Sequence, residues 1–126
     1  MKKIIVVTGG AGFVGSNLIK FFLKQTNLKI ISLDNYSSSS KKNHIKSKRI
    51  KYIKGHTKDI SKILFNYKKN IHTIFHFGEF SRIFQSFKKF HECLDSNSNG
   101  SREVFKFWIC FIDYVNSASS TNKFRV

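Results

Sequence analysis

Three glycines, at every third position, give this sequence its clearest chemical signal. Gly9, Gly12 and Gly15 follow an apolar, β-branched run at residues 3–7, which is typical of a strand buried on both faces. In such a turn the first glycine permits a tight bend, the second lets the backbone approach a phosphate, and the third lets a helix pack closely on the strand. The unpaired N–H groups at the start of that helix would face an anion. The pattern favours a pyrophosphate-binding turn over a glycine-rich turn without a ligand.

A helix must follow the glycines to supply those N–H groups. The residues after Gly15 change to a helical period, and Phe13 and Val14, next to the turn, are predicted to take part in binding. No Lys-Ser or Lys-Thr pair follows the glycines, which argues against an NTPase phosphate loop. The predicted apolar face, opposite Lys20 and Lys24, consists of Val14, Leu18, Phe21 and Phe22.

An acidic residue ends the second predicted strand. Residues 29–33 form that strand, and Asp34, 19 positions after the third glycine, is followed by Asn35. A carboxylate there is placed to accept hydrogen bonds from the adenosine ribose hydroxyls and would repel the 2′-phosphate of NADP. NAD is therefore the predicted cofactor. Lys41 and Lys42 lie just beyond and leave NADP open as the alternative.

The glycine segment resembles a known family. Thr8, Gly9, Gly12 and Gly15 match the Thr-Gly-x-x-Gly-x-x-Gly motif of the extended short-chain dehydrogenase/reductases, in particular the NAD-dependent nucleotide-sugar epimerases and dehydratases that include UDP-glucose 4-epimerase. The resemblance implies a Rossmann-like, doubly wound α/β fold with a parallel sheet of about five strands in the order 3-2-1-4-5. It also implies that NAD takes a hydride from a sugar and returns it.

The third and fourth predicted strands end in further candidate residues. After residues 50–54, His56 occupies the place where the family usually has an adenine-contacting Asp, which weakens adenine recognition or shifts it to Thr57. His56 and Thr57 are both predicted to take part in cofactor binding. Asp59 is predicted to cap the following helix, in which Ile60, Ile63 and Leu64 face inward.

The fourth strand, at residues 72–77, resembles the family's His-x-Ala-Ala segment. The resemblance implies that Phe77, Gly78 and Glu79 lie against the pyrophosphate and nicotinamide ribose. His76 is interpreted as a packed strand histidine, because no second ligand stands at metal spacing, and no metal site is predicted.

The last third of the chain carries the remaining predicted site residues. Helical periodicity runs over residues 83–110 with a break at residues 95–100, where Asn97 resembles the Asn of the family's Asn-x-x-Gly-Thr. The alternative is an ordinary turn asparagine. Residues 111–116 are predicted as the fifth strand, which would deliver Ser119, aligned with the hydroxyl residue that contacts the substrate sugar; Ser117 and Ser120 are its alternatives.

The family's catalytic pair, a Tyr with a Lys four residues later, does not occur in these 126 residues. We therefore interpret residues 1–126 as an incomplete NAD(P)-binding domain that lacks the catalytic helix and the substrate domain. The alternative is a catalytically inactive NAD- or nucleotide-binding module. A nucleotide sugar is the predicted substrate of the full-length enzyme, and an uncovered apolar face predicts self-association or a homodimer. None of the four tyrosines has a lysine four positions later; they are Tyr36, Tyr52, Tyr67 and Tyr114.

The net charge of +16 could indicate a nucleic-acid partner. We attribute it instead to a compositional bias, because the lysines are scattered and no recognition motif accompanies them, and we predict no specific nucleic-acid partner. Cys93 and Cys110 give no disulfide framework, which favours a reducing cytoplasm. The longest later apolar run, at residues 107–112, is far below the roughly 20 residues that span a bilayer, so no membrane association is predicted.

Overall fold

Four parallel strands form one sheet in the order β3-β2-β1-β4. The computed structural model describes residues 3–80 and 83–118. The sheet order agrees with the predicted order of the first four strands, and each strand lies within one residue of its predicted position. The strands are β1 at Ile4–Thr8, β2 at Lys29–Asp34, β3 at Ile50–Lys54 and β4 at Ile71–His76.

The central strand β1 is buried along its whole length because it pairs on both sides and is covered on both faces. Ile4 and Val6 point into one apolar cluster, and Ile5 and Val7 point into the other, as the twofold period of a strand requires. This explains the unbroken apolar run in the sequence. It also fixes the end of β1, and with it the glycine turn, between two packed layers.

Helix α1, at Phe13–Gln25, covers the second of these clusters. Its buried residues are Gly15, Ser16 and Ile19, so the apolar face predicted from sequence is wrong in part. Val14 and Phe21 are each 55% exposed. The helix is turned this way because Gly15 is pressed against the glycine turn, which brings Ile19 rather than Phe21 onto the sheet.

The connection between β3 and β4 packs on the opposite face. A 3-10 turn at Thr57–Asp59 leads into α2 at Ile60–Ile63, and a second 3-10 segment runs over Phe65–Asn70. The inward orientation predicted for this helix is confirmed, since Ile60 and Leu64 are fully buried. Asp59 stands at the start of α2, but its side chain makes no capping hydrogen bond, which corrects its predicted role.

The chain after β4 is helical where a fifth strand was predicted. Residues 111–116 lie inside α5, which spans Ser101–Ala118, so the described residues form a sheet of four strands and not five. A short apolar run does not by itself distinguish a strand from a buried helix, and here Val104 and Phe107 anchor a continuous helix on the core. The expected break at residues 95–100 is a helical π turn that joins α4 to α5. The preceding helices are α3 at Ile83–Lys88 and α4 at Phe90–Leu94.

This correction removes the structural basis for the predicted sugar-contacting serine. Ser117 lies in α5 and does not follow a strand. Ser119 and Ser120 lie outside the described residues, so the role of Ser119 stays a prediction. Within the described residues, no helix is both long enough and apolar enough to cross a bilayer.

Candidate functional site: a cavity at the carboxyl end of the sheet

A cavity of about 450 Å³ opens where β1, β2 and β4 end and α1 begins. Carboxyl ends of parallel strands are where ligands bind in open α/β sheets. Most of the residues predicted from sequence to bind the cofactor line its wall; His56 and Asn97 do not. The predicted residues in the wall are Gly9, Gly12, Phe13, Val14, Gly15, Asp34, Asn35, Thr57, Phe77, Gly78 and Glu79.

The three glycines of the turn have distinct surroundings. Gly9 has φ of +69°, and a Cβ on it would lie 2.6 Å from the carbonyl oxygen of Phe77. A Cβ on Gly15 would lie 2.3 Å from the carbonyl oxygen of Gly9, so helix and turn touch through backbone atoms alone. A Cβ on Gly12 would meet only the same oxygen, at 3.3 Å. Gly12 is therefore the open glycine, with room for a ligand beside it.

The N-terminus of α1 is left without a side-chain cap. Gly12 is the N-cap residue and has no side chain, and the Ser16 hydroxyl donates to the carbonyl of Phe13, away from the first-turn amides. The backbone N–H groups of the first turn carry the positive end of the helix dipole. Together with the open side of Gly12, they form a backbone cradle for an anion such as a pyrophosphate.

Asp34 is fixed opposite this cradle by three hydrogen bonds. Its Oδ2 accepts from the N–H of Ala11 at 3.0 Å, and its Oδ1 accepts from the N–H of Tyr36 at 2.8 Å and from the hydroxyl of Ser39 at 2.9 Å. The residue is only 8% exposed. A carboxylate has about four acceptor positions, so one remains for a ligand hydroxyl. Its orientation is set before any ligand arrives.

No serine of the segment after β2 was predicted as a site residue. Ser37, Ser38 and Ser39 line the cavity, and the side-chain amide of Asn43 donates to the carbonyl of Ala11 at 2.8 Å, which ties this segment to the glycine turn. The run of four serines directly after an acidic strand end was the available signal. Its hydroxyl groups add polar groups to the cavity wall beside Asp34.

The wall after β4 is organised by the hydroxyl of Thr8. Its Oγ1 accepts from the N–H groups of Phe77 and Gly78, each at 3.1 Å, and lies 2.6 Å from Nδ1 of His76. Because this oxygen already accepts two hydrogen bonds, its own proton is directed to Nδ1. The tautomer assigned in this way has Nε2–H donating to the Ser101 hydroxyl at 2.9 Å.

His76 thus uses both ring nitrogens within the protein, as expected of a packed histidine. Burial lowers its pKa below the ordinary 6.5, and the nearby carboxylate of Glu79 opposes this only in part. The ring also lines the cavity, a position that sequence reasoning did not assign to it.

His56 and Asn97 do not line the cavity and instead bond to the backbone beside it. Nδ1 of His56 accepts from the N–H of Lys58 at 3.1 Å, and burial, followed by the charge of Lys58, lowers the pKa of His56. Thr57 and the unpredicted Ser96 line the cavity instead. The side chain of Asn97 is paired with the backbone of Phe80, with its Oδ1 2.5 Å from the N–H and its Nδ2 donating to the carbonyl at 3.0 Å. Asn97 therefore positions the loop after β4.

Residues 5–122 match the NAD dependent epimerase/dehydratase family. The chain belongs to the NAD-dependent epimerase/dehydratase family. This confirms the resemblance carried by the glycine motif, and it agrees with a cavity formed at the glycine turn and the acidic end of β2.

Two relatives with named activities belong to the same group of enzymes. The chain is 34% identical to a dTDP-D-glucose 4,6-dehydratase of Dictyostelium discoideum over 109 residues, which is 81% of this chain and 25% of the relative. It is 31% identical to a UDP-glucose 4-epimerase of Pasteurella multocida (strain Pm70) over 103 residues, or 77% of this chain and 30% of the relative. The chain thus spans between a quarter and a third of the length of these relatives.

Solved structures give the same picture of the fold. An epimerase from Methanothermobacter thermautotrophicus superposes with a TM-score of 0.76 at 31% identity, over 84% of this chain and 31% of that one. The enzyme WbmG of Bordetella bronchiseptica, solved in complex with NAD and UDP, superposes with a TM-score of 0.68 at 25% identity, over 82% of this chain and 32% of that one. The chain therefore has the Rossmann-type α/β fold of these epimerases.

The residues of the cavity fit the cofactor that the family name implies. Gly12 leaves open the space that a Cβ would occupy, the first turn of α1 offers uncapped N–H groups, and Asp34 retains an acceptor position. An anionic diphosphate flanked by hydroxyl-bearing sugars matches these three features.

Proposed function

We propose that this chain is the NAD-binding part of an enzyme that epimerises or dehydrates a nucleotide-activated sugar. The observation that carries the proposal is the pairing of an uncapped helix N-terminus beside Gly12 with the fixed carboxylate of Asp34 across one cavity. The named relatives, a dTDP-D-glucose dehydratase and a UDP-glucose epimerase, support the substrate class. Under this proposal the whole chain is one incomplete NAD(P)-binding domain.

Each wall of the cavity would bind a different part of NAD. The N–H groups of Phe13 and Val14 would hold the pyrophosphate, and Asp34 would accept hydrogen bonds from the adenosine ribose. Thr57 stands where adenine would lie, and the backbone at Phe77 and Gly78 would lie against the nicotinamide ribose. NAD supplies the hydride acceptor in this family's chemistry, and the residues of this chain supply its binding and orientation.

The carboxylate of Asp34 supports NAD over NADP. A 2′-phosphate beside a carboxylate that is held in place by three hydrogen bonds would meet like-charge repulsion with no freedom for the side chain to turn away. Calorimetric titration with both cofactors tests this. We expect NAD to bind at least about tenfold more tightly, which corresponds to about 1.4 kcal/mol. The charge-neutral variant Asp34→Asn should narrow the preference, and equal binding of the two cofactors by the unchanged protein would refute the assignment.

Gly12 provides the direct test of cofactor binding. A Val side chain there would project into the open space beside the turn, so Gly12→Val should abolish NAD binding, with Gly12→Ala intermediate. Circular dichroism checks that the variants remain folded. Unchanged NAD affinity in Gly12→Val would contradict the proposal.

A second candidate is a nucleotide-binding module without catalytic turnover. It is favoured by the sequence, in which no Tyr is followed four positions later by Lys. Incubation of the 126-residue chain with NAD and UDP-glucose, analysed for a product sugar nucleotide, tests the second candidate. Turnover would exclude the inactive module, and Ser119→Ala would then test the predicted sugar contact.

Self-association and a cytoplasmic location also belong to the proposal. Phe87 is 82% exposed, and Phe90 and Phe105 are each 63% exposed, on the helices that follow β4. Large exposed aromatic side chains on neighbouring helices support contact between copies. Analytical ultracentrifugation should show a dimer or larger species that dissociates when Phe87 and Phe105 are changed to Ser. A concentration-independent monomer would be the contrary result.

A further inference from the structure

A second cavity, of about 630 Å³, lies at the opposite end of the sheet, where the strands begin. Four cationic residues line it, namely Lys29 at the start of β2 and Lys48, Arg49 and Lys51 around the start of β3. Lys48, Arg49 and Lys51 lie close together in sequence, and Lys29 lies on the neighbouring strand. Parallel strands all begin at the same edge, so the topology brings Lys29 beside the basic segment at the start of β3.

Arg49 supplies a cation that is held in place. Its guanidinium donates to the backbone carbonyls of Leu23 and Thr26 at the end of α1. The carbonyls carry the negative end of the helix dipole, so they orient the guanidinium and offset part of its charge without neutralising it. Leu23 and Thr26 do not line the cavity, so Arg49 contributes a fixed positive charge at its edge.

Lys51 is positioned by Tyr67. Its Nζ lies 2.5 Å from the phenol oxygen and 5.2 Å from the ring centroid. Tyr67 and Asn66 also line the cavity, so the wall offers an aromatic face and a side-chain amide beside the cations. Lys29 and Lys48 are exposed at its rim.

No Asp or Glu is among the described residues that line this cavity. Asp34 and Glu79 line the cofactor cavity at the other end of the sheet. The ion pairs in the described part of the chain join Lys58 to Asp95, Lys89 to Glu92, and both Arg102 and Lys106 to Glu103. None of the four cations of the second cavity takes part in them, so their field adds up over one concave surface.

We propose that this second cavity binds a chain of phosphate groups, either a nucleic-acid backbone or a free polyphosphate. Several cations around one cavity match an anion with several charges better than a single carboxylate, and the ring of Tyr67 adds a surface on which a base can stack. The site is separate from the proposed NAD site and does not depend on it.

Titration with sodium tripolyphosphate and with a single-stranded oligothymidylate tests the proposal. The triple variant Lys29→Gln/Lys48→Gln/Lys51→Gln is compared with a control triple, Lys20→Gln/Lys54→Gln/Lys106→Gln, which removes the same net charge at exposed positions away from the cavity. We expect the cavity variant to lose at least about tenfold in affinity and the control less than about twofold. For the oligonucleotide, the loss of three phosphate contacts should reduce the slope of log K against log salt by about 2.

If only one probe binds, and only the cavity variant loses affinity for it, the site is supported and the probe identifies the source of the phosphates. Equal losses in the two triple variants would assign the binding to overall charge and overturn the proposal, as would the absence of binding by both probes. Circular dichroism checks that the variants are folded. If the triple variant is misfolded, the single change at exposed Lys29, Lys29→Gln, tests the proposal instead, with an expected two- to threefold loss of affinity, roughly one phosphate contact.

Discussion

The two walls of the cofactor cavity are built in different ways. The glycine wall, residues 9–15, is held by backbone contacts within itself and to β2, such as the N–H of Gly12 donating to the carbonyl of Gly9 and the N–H of Gly9 donating to the carbonyl of Leu33. The wall after β4, residues 77–80, is held by the side chains of Thr8 and Asn97, which reach it from other elements. The first wall is held mainly by its backbone, to which the side chains of Asp34 and Asn43 add, and the second depends on side chains from distant elements. Substitutions in the two walls should therefore fail for different reasons.

The largest effect is expected in the glycine wall, for Gly15→Ala. Alanine gains up to about 1 kcal/mol in helix propensity, but its Cβ would lie 2.3 Å from a backbone oxygen that cannot move without opening the turn. Overpacking typically costs about 1–3 kcal/mol and occasionally more, and a contact this short belongs at or above the upper end, about 3–4 kcal/mol. After the gain in propensity, we expect a net loss of about 2–3 kcal/mol in the free energy of unfolding, measured in urea.

Gly12→Ala is the matched control, because its Cβ would meet the same oxygen at 3.3 Å. It should cost less than about 1 kcal/mol in stability. If the two changes destabilised the protein equally, close backbone contact would not be what stabilises the glycine wall.

The second wall is tested by Thr8→Val, which keeps the shape of the side chain and removes the hydroxyl. The N–H of Gly78 and Nδ1 of His76 would then lose their partner inside the protein. Unsatisfied buried groups cost about 1–3 kcal/mol each. We expect the free energy of unfolding, measured by urea titration, to fall by about 2 kcal/mol. Thr8→Ser, which keeps the hydroxyl, should lose less than about 1 kcal/mol. A Ser variant as unstable as the Val variant would assign the effect to packing.

A smaller effect is expected for Asn97→Ala, which releases Phe80 from both of its hydrogen bonds. Because Asn97 is exposed, water can replace the lost partners, and the expected cost is about 1 kcal/mol or less. Amide hydrogen exchange at Phe80 provides the more specific measurement, and it should accelerate while exchange in β1 is unchanged. Unaltered exchange at Phe80 would show that Asn97 does not hold this loop.

The same contrast explains which features could be predicted from sequence. The turn at Gly9 to Gly15 and the acidic end of β2 are visible because turn, strand and helix succeed one another locally and each leaves its own period. The fifth strand was predicted wrongly because residues 111–116 continue a helix that Val104 and Phe107 anchor on the core through contacts with distant elements, which a local pattern does not record. The positioning roles of Thr8 and Asn97 were equally hidden, since their partners lie 69–70 and 17 residues away.

The smallest expected effect is a pH dependence of stability that originates in the second wall. Burial lowers the pKa of His76 below 6.5, so between these two values the unfolded chain binds more protons than the folded protein. The contribution of His76 to the free energy of unfolding is therefore complete above pH 6.5. It declines as the pH falls toward the lowered pKa that His76 has in the folded protein. Protonation would also direct an N–H at the Thr8 hydroxyl oxygen, which already accepts two hydrogen bonds.

Urea unfolding at about pH 7.5 and about pH 5.5 measures this decline. His56 contributes with the same sign, because burial and then Lys58 lower its pKa as well, so His76→Gln should reduce the decline without abolishing it. If His76→Gln left the decline unaltered, the proton-sensitive part of the structure would lie at His56, outside the wall after β4, and the hydroxyl of Thr8 would organise that wall independently of pH.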